Sequence, residues 1–251
     1  MNSPQTARSA PAAFLVILGI NILVFVLQII KGVDPMSPDT RDLIGWGANV
    51  APLTLTGEPW RLLTSMFLHI GLVHLAVNSY MLVVLGRVVE WEFGSVRFTL
   101  IYLLSGLFGS LASALWYASF KVSAGASGAL MGIAGACLAH SLIAYLRNEK
   151  GEAGRLRGPL IQTIGLNLVL GAIIPGVDNA AHIGGLIAGA VIGGIFALSS
   201  FNSALKRSLV AVVVSLASLT LLHSAVTGPP SAALVQIKLQ LLRELARTPT
   251  R

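Results

Sequence analysis

Residues 127–146 read Ser-Gly-Ala-Leu-Met-Gly-Ile-Ala-Gly-Ala-Cys-Leu-Ala-His-Ser-Leu-Ile-Ala-Tyr-Leu, without one Asp, Glu, Lys or Arg. That is the roughly 20-residue apolar length a helix needs to cross the hydrocarbon of a bilayer. Six more segments share this character, at about 12–30, 70–89, 98–118, 157–174, 180–199 and 208–226. The composition agrees. Of 251 residues, 55% are hydrophobic and 11% charged, against roughly 25% charged in an ordinary soluble domain, and the mean hydropathy is +0.79. The expected fold is an all-α membrane protein, a polytopic helical bundle.

The formal charge of +7 and a pI near 10.1 do not make this a nucleic-acid binder. Excess Lys and Arg in a chain this apolar set orientation, because short cytoplasmic connections accumulate them. With a cytoplasmic N-terminus, that side holds Arg8, Arg87, Arg97, Arg147, Lys150, Arg155, Arg157, Lys206 and Arg207, nine in all. The other side, before the last helix, holds four: Lys31, Arg41, Arg61 and Lys121. The tail, with Lys238, Arg243, Arg247 and Arg251, then falls on the outer side. Arg8 precedes the first apolar run as in a signal peptide, but Ala12 to Ile30 is too long for a signal core and is expected to be a retained helix. One cysteine, Cys137, permits no intramolecular disulfide and no cysteine metal cluster.

The chain is expected to divide into a short cytoplasmic N-terminus (1–11), a six-helix core (12–199), a seventh membrane helix (208–226) and a tail (227–251). Residues 31–69 form a long outer connection with four prolines and the aromatics Trp46 and Trp60. Its apolar content argues against a free linker and for a place at the membrane interface. Ser231 to Arg247 has the pattern of an amphipathic surface helix.

Strongly polar groups inside a bilayer are expensive and therefore point to function. Three clusters stand out: His69, His74 and Asn78; Gly125-Ala126-Ser127-Gly128; and Asn179-Ala180-Ala181-His182. Spans two, four and six run in the same direction, and all three clusters lie near their starts, so they share one depth just below the outer face. A serine and a histidine at matched depth on parallel helices can act as nucleophile and base. Gly128 and Gly132 in one helix, and Gly185 and Gly189 in the other, are small-xxx-small pairs that permit close approach. Ser127 at a helix start brings free N–H groups to the place where an oxyanion would form. His74 and Asn78, four apart, share a helical face.

Singly, each residue reads as packing: a lone membrane serine bonds back to its own helix, and GxxxG joins helices. Only the joint placement sets catalysis beside that reading. His140 lies thirteen residues beyond Ser127, about 20 Å deeper, outside any shared site. His223 and Cys137 read as structural, and Glu90 beside Arg87 as a cap or ion pair. No HExxH occurs, His69 and His74 are five apart and do not share a helical face well, and Asp178 is the only Asp after Asp42. No metal site and no paired aspartates are expected.

In order along the chain stand Glu58-Pro59-Trp60-Arg61 with Thr64, Phe67-Leu68-His69, His74-Leu75-Ala76-Val77-Asn78, Gly86-Arg87 through Glu90 to Gly94, Gly125-Ala126-Ser127-Gly128, and Ala181-His182-Ile183-Gly184-Gly185 with Gly189. From about Gly47 to Gly194 the chain resembles the rhomboid family of intramembrane serine proteases, in its bacterial six-plus-one form. The resemblance implies a Ser127–His182 dyad without a third carboxylate, and an oxyanion hole of His74, Asn78 and the Ser127 N–H. It implies supporting roles for His69, Gly125, Gly128, Met131, Asn179, Gly185 and Gly189. It also implies transmembrane protein substrates in a lipid bilayer, and no cofactor. Trp60-Arg61 matches a family motif in a first outer loop folded as a partly embedded hairpin. Met131 stands where the family often has an aromatic residue stacked on the catalytic histidine; a thioether can pack there too. A bacterial inner membrane is the expected location. Two alternatives remain: a rhomboid-like protein that binds membrane helices without cutting them, and a transporter or scaffold lined by the same polar groups.

Overall fold

The computed structural model describes residues 12–118, 120–148, 152–199 and 203–247, with side chains of the helix beginning at 152 described from 157 onward. The N-terminal stretch with Arg8, and Lys150, lie outside the described residues. Helix α1 (Ala13–Ile30) enters the bundle first. The outer connection then folds into α2 (Thr40–Gly45), strand β1 (Asn49–Val50), α3 (Ala51–Thr54) and α4 (Arg61–Thr64), followed by a 3-10 turn, Ser65–Phe67. Next come α5 (Leu72–Met81) and α6 (Arg87–Phe93), joined through a π-helical stretch, Leu82–Gly86, into one rod. After α7 (Ser95–Tyr117) and strand β2 (Val122–Ser123) follow α8 (Ser127–Leu146), α9 (Glu152–Ile173), α10 (Asn179–Leu198), α11 (Ala204–Thr227) and α12 (Ala232–Arg247).

Six helical rods among the described residues are long and apolar enough to cross a membrane: α1, Leu72–Phe93, α7, α8, α10 and α11. The protein is a polytopic helical membrane protein. Helix α9 fills the segment expected as the fifth span and carries Gln162, Thr163 and Asn167 along its length. Its role as a crossing follows from its neighbours. The N-terminal ends of α8 and α10 touch, so the two helices start on one side, and α9 must return the chain between them.

Side-chain size sets the centre of the bundle. Helices α8 and α10 meet through glycine: a Cβ on Gly185 would fall on the Gly128 carbonyl, one on Gly189 on Gly132, and one on Gly193 on Ala136. Helix α7 closes the third side, where a Cβ on Gly109 would lie 2.7 Å from the Ala181 carbonyl oxygen. Larger apolar side chains fill the layer beneath, including Phe98, Ile101, Tyr102, Leu130, Ile133 and Phe196, all 1% exposed or less.

Polar groups finish the ends. The Glu90 carboxylate accepts the N–H groups of Ala12, Ala13 and Phe14, each at 2.9 Å, and the Ser95 hydroxyl at 2.6 Å. It caps the start of α1, where unpaired N–H groups and the positive dipole end favour an anion. This is the cap reading of Glu90, made across helices.

The outer connection is a built unit. Buried Arg61 donates through Nη1 to the carbonyls of Ile44 at 2.7 Å and Ala48 at 3.1 Å, and through Nε to Glu58 at 2.7 Å. Thr64 donates to the Gly47 carbonyl at 2.7 Å. Asn49 donates to the Ser110 carbonyl of α7 at 2.7 Å and accepts from Thr54 at 2.7 Å. Strands β1 and β2 pair antiparallel, Asn49 with Ser123 and Val50 with Val122.

Candidate active site

Ser127 is the first residue of α8, so the leading N–H groups of that helix have no intrahelical partner. His182 sits in the first turn of α10, whose N-cap is Asp178: its carboxylate accepts from Ala181 N–H at 3.0 Å and from the Ser113 hydroxyl of α7 at 2.5 Å. The glycine contacts below draw the two helix starts together, and His182 Nε2 lies 2.9 Å from Ser127 Oγ. His182 is 5% exposed, and its other nitrogen, Nδ1, has no hydrogen-bond partner among the described residues. The Asp178 carboxylate is engaged by the helix cap and Ser113 and makes no hydrogen bond to the imidazole. For Nε2 to accept the serine proton, Nδ1 must carry the ring hydrogen, so the ring is held by packing.

Facing this pair is the start of α5. His74 Nδ1 accepts weakly from the Ile70 N–H, at 3.4 Å, which leaves Nε2 as the donor. Asn78 is buried and its Nδ2 has no partner among the described residues. Both donors point to the space beside Gly125: a Cβ there would lie 2.9 Å from His74 Nε2 and 3.5 Å from Asn78 Nδ2. Gly125 takes a φ of +134°, open to glycine and costly for other residues, and its N–H donates to the Ser65 carbonyl at 2.9 Å. The residue before Ala126-Ser127 is thus glycine on two counts.

His69 packs edge-on to His74, ring centroids 5.4 Å apart. It is 1% exposed and neither ring nitrogen has a hydrogen-bond partner among the described residues. Burial, then the neighbouring His74, pushes its pKa down to about 3, so His69 is neutral and serves as a wall. Asn179 donates to the Leu168 carbonyl of α9 at 3.0 Å and ties the two helices beside the site. Met131 is buried among Ile164, Leu85, Leu168 and Leu186, one turn below Ser127. Gly128, Gly185 and Gly189 form the close helix contact already described.

The groups open on one cavity of about 460 Å³, lined by His74, Asn78, Gly125, Ser127, Asp178 and His182 together with apolar side chains of α5 and α9. The size suits a clefted ligand site with a few convergent polar groups. His140 is elsewhere, edge-on to Phe93 at 5.4 Å beside a small pocket with Arg97 and Arg147. Cys137 is buried and free. Sequence reading missed the Ser113–Asp178 bond, the Asn49–Ser110 bond and the β1–β2 pairing, all contacts between distant residues.

The Rhomboid domain pattern matches residues 56–199. The chain belongs to the rhomboid family. It is 37% identical to the rhomboid protease GluP of Bacillus subtilis (strain 168) over 236 residues, 93% of this chain and 45% of that protein. It is 35% identical to the rhomboid protease AarA of Providencia stuartii over 204 residues, 73% of this chain and 72% of that protein. The mitochondrial RHOMBOID-like protein 6 of Arabidopsis thaliana is 43% identical over 136 residues, 54% of this chain and 43% of that protein. The chain thus spans less than half the length of GluP and of this plant rhomboid. The matched segment holds every candidate residue, from His69 to Gly189.

Proposed function

We propose that this rhomboid is an intramembrane serine protease that hydrolyses peptide bonds in or near the transmembrane segments of other membrane proteins. The observation that carries the reading is the 2.9 Å contact between His182 Nε2 and Ser127 Oγ at two abutting helix starts, open to a cavity with two unspent donors. Ser127 Oγ attacks the scissile carbonyl carbon as His182 Nε2 takes its proton. The carbonyl π electrons move to oxygen, and that oxyanion accepts from His74 Nε2, Asn78 Nδ2 and the Ser127 N–H. As the intermediate collapses, the C–N bond breaks and the leaving amine takes the proton from Nε2. The acyl group now on Ser127 is attacked by a water that gives its proton to Nε2, and the released serine regains it.

The dyad works without a carboxylate because packing between α8 and α10 fixes the ring. Water enters from the face on which α8 and α10 begin; the excess of Lys and Arg on the opposite side supports reading this as the outer face, with the N-terminus cytoplasmic, in a membrane proposed to be a bacterial inner one. The test is cleavage of a reporter protein with one transmembrane segment, in liposomes, by wild type, Ser127→Ala and His182→Ala. Cleavage by wild type alone is expected. Folded wild type that binds the reporter without cutting it contradicts the protease reading and favours a membrane-helix binder.

A further inference from the structure

Helix α12 has two apolar faces, and only one is occupied. Leu234 packs with Ala51, Leu55 and Ala114, and Leu241 and Leu245 pack with Ile44, Val50, Leu53 and Val122. Lys238 donates to the Thr56 carbonyl at 2.9 Å, and the Arg41 guanidinium to the Leu245 carbonyl. At about 100° per residue, Val235, Leu239 and Leu242 form a second stripe beside the first, 36%, 43% and 43% exposed. Gln236, Gln240, Arg243 and Arg247 lie on the remaining side.

The level at which α12 sits decides what covers that stripe. Its anchor Ala114 is in the last turn of α7, and the next two residues, Leu115 and Trp116, are 56% and 77% exposed. An apolar helix ending in an exposed tryptophan marks the headgroup boundary. The stripe therefore continues the lipid-facing belt of the bundle. A second protein copy is a poor occupant, since three side chains about two-fifths exposed fall well short of the roughly 800 Å² per partner of a stable interface.

We infer that α12 is an interfacial helix: Val235, Leu239 and Leu242 lie in the leaflet on the side of the candidate site, while Leu234, Lys238 and Leu241 seat the helix on the outer connection. The link to the site is short. Leu241 and Val122 share one apolar cluster with Val50, and β2 leads within two residues to Gly125. The inference rests on the membrane fold and not on the chemistry of Ser127.

The test uses the full chain with Cys137→Ala and single cysteines at Leu239→Cys, Leu242→Cys, Gln240→Cys or Arg243→Cys, each carrying an environment-sensitive fluorophore, in vesicles of neutral and anionic phospholipid. All four positions are exposed, so the fold is retained. A label at Leu216→Cys, 61% exposed in α11, calibrates quenching from lipid. Labels at 239 and 242 are expected to be quenched about threefold more than those at 240 and 243 by lipids spin-labelled near the headgroup, and the reverse by aqueous iodide. Equal iodide quenching at all four overturns the inference. So does shielding from both quenchers that grows with protein density, which would mean a second copy.

Discussion

The two halves of the candidate site are built by different physics. Ser127 and His182 stand on α8 and α10, whose backbones touch through Gly128, Gly132, Gly185 and Gly189. His74 and Asn78 stand on the rod Leu72–Phe93, of which 28% is buried, against 61% for α8. The first half is fixed by contacts that cannot relax, because the opposing atom is backbone. The second leans on the outer connection, whose polar bonds converge on Arg61 and Asn49 and reach Gly125 through Ser65. Ser127 and His182 are thereby held by backbone contacts, while His74 and Asn78, proposed above as two of the oxyanion donors, stand on a rod that is less deeply buried in the bundle.

Four changes sharpen this contrast. Gly185→Val drives a side chain into the Gly128 carbonyl; strain in a packed core costs about 1–3 kcal/mol where it can relax, and here it cannot. Loss of both folding yield and cleavage is expected, read by size-exclusion profile and activity. Asn78→Ala removes a donor that bonds nothing in the resting protein, so melting temperature should hold. Its kcat should drop by about 10²–10³-fold with little change in KM, as for an oxyanion-hole donor elsewhere. A fall in stability equal to that of Gly185→Val would instead make Asn78 a packing residue.

Arg61→Ala leaves two buried carbonyls and Glu58 without their cation and is expected to cost about 3 kcal/mol. Limited proteolysis should then cut within residues 31–69 while the α8–α10 pair stays intact. The smallest effect is on pH. His69 is neutral in the folded chain down to about pH 3, whereas unfolded histidine takes up its proton near pH 6.5. The unfolded state thus binds more protons across that window, and the stability contributed by neutral His69 is present above pH 6.5 and lost as pH falls toward 3. Thermal unfolding of His69→Phe should show a flatter acid slope than wild type between pH 6.5 and 5.

The rigid half was the more legible in sequence. The apolar length of 127–146 and the parity of the spans place Ser127 and His182 at one depth, and the glycine spacing says how close their helices come. Helix bounds follow from the same pattern: 127–146 is Ser127–Leu146, and 12–30 is Ala13–Ile30. The other half was legible only as polar residues in need of a role. His74 and Asn78 share a face by spacing, but that Gly125 makes room for both donors depends on a bond from Gly125 N–H to Ser65, sixty residues earlier. Strands of two residues leave no periodicity to read, and Arg61 gives no hint of the carbonyls it gathers. The tail was legible as an amphipathic helix; its seat against Val50 and Ala114 was not, because amphipathic pattern records a face and never the surface that meets it.

The proposed role of Ser127, a nucleophile made reactive by His182, can be tested directly by chemical labelling. Wild type and His182→Ala, both in lipid, would be treated with a serine-reactive fluorophosphonate and digested, and the modified residue located by mass spectrometry. One adduct, on Ser127, is expected in wild type and none above background in His182→Ala. An adduct on another serine, or equal labelling of Ser127 in the variant, would contradict that role.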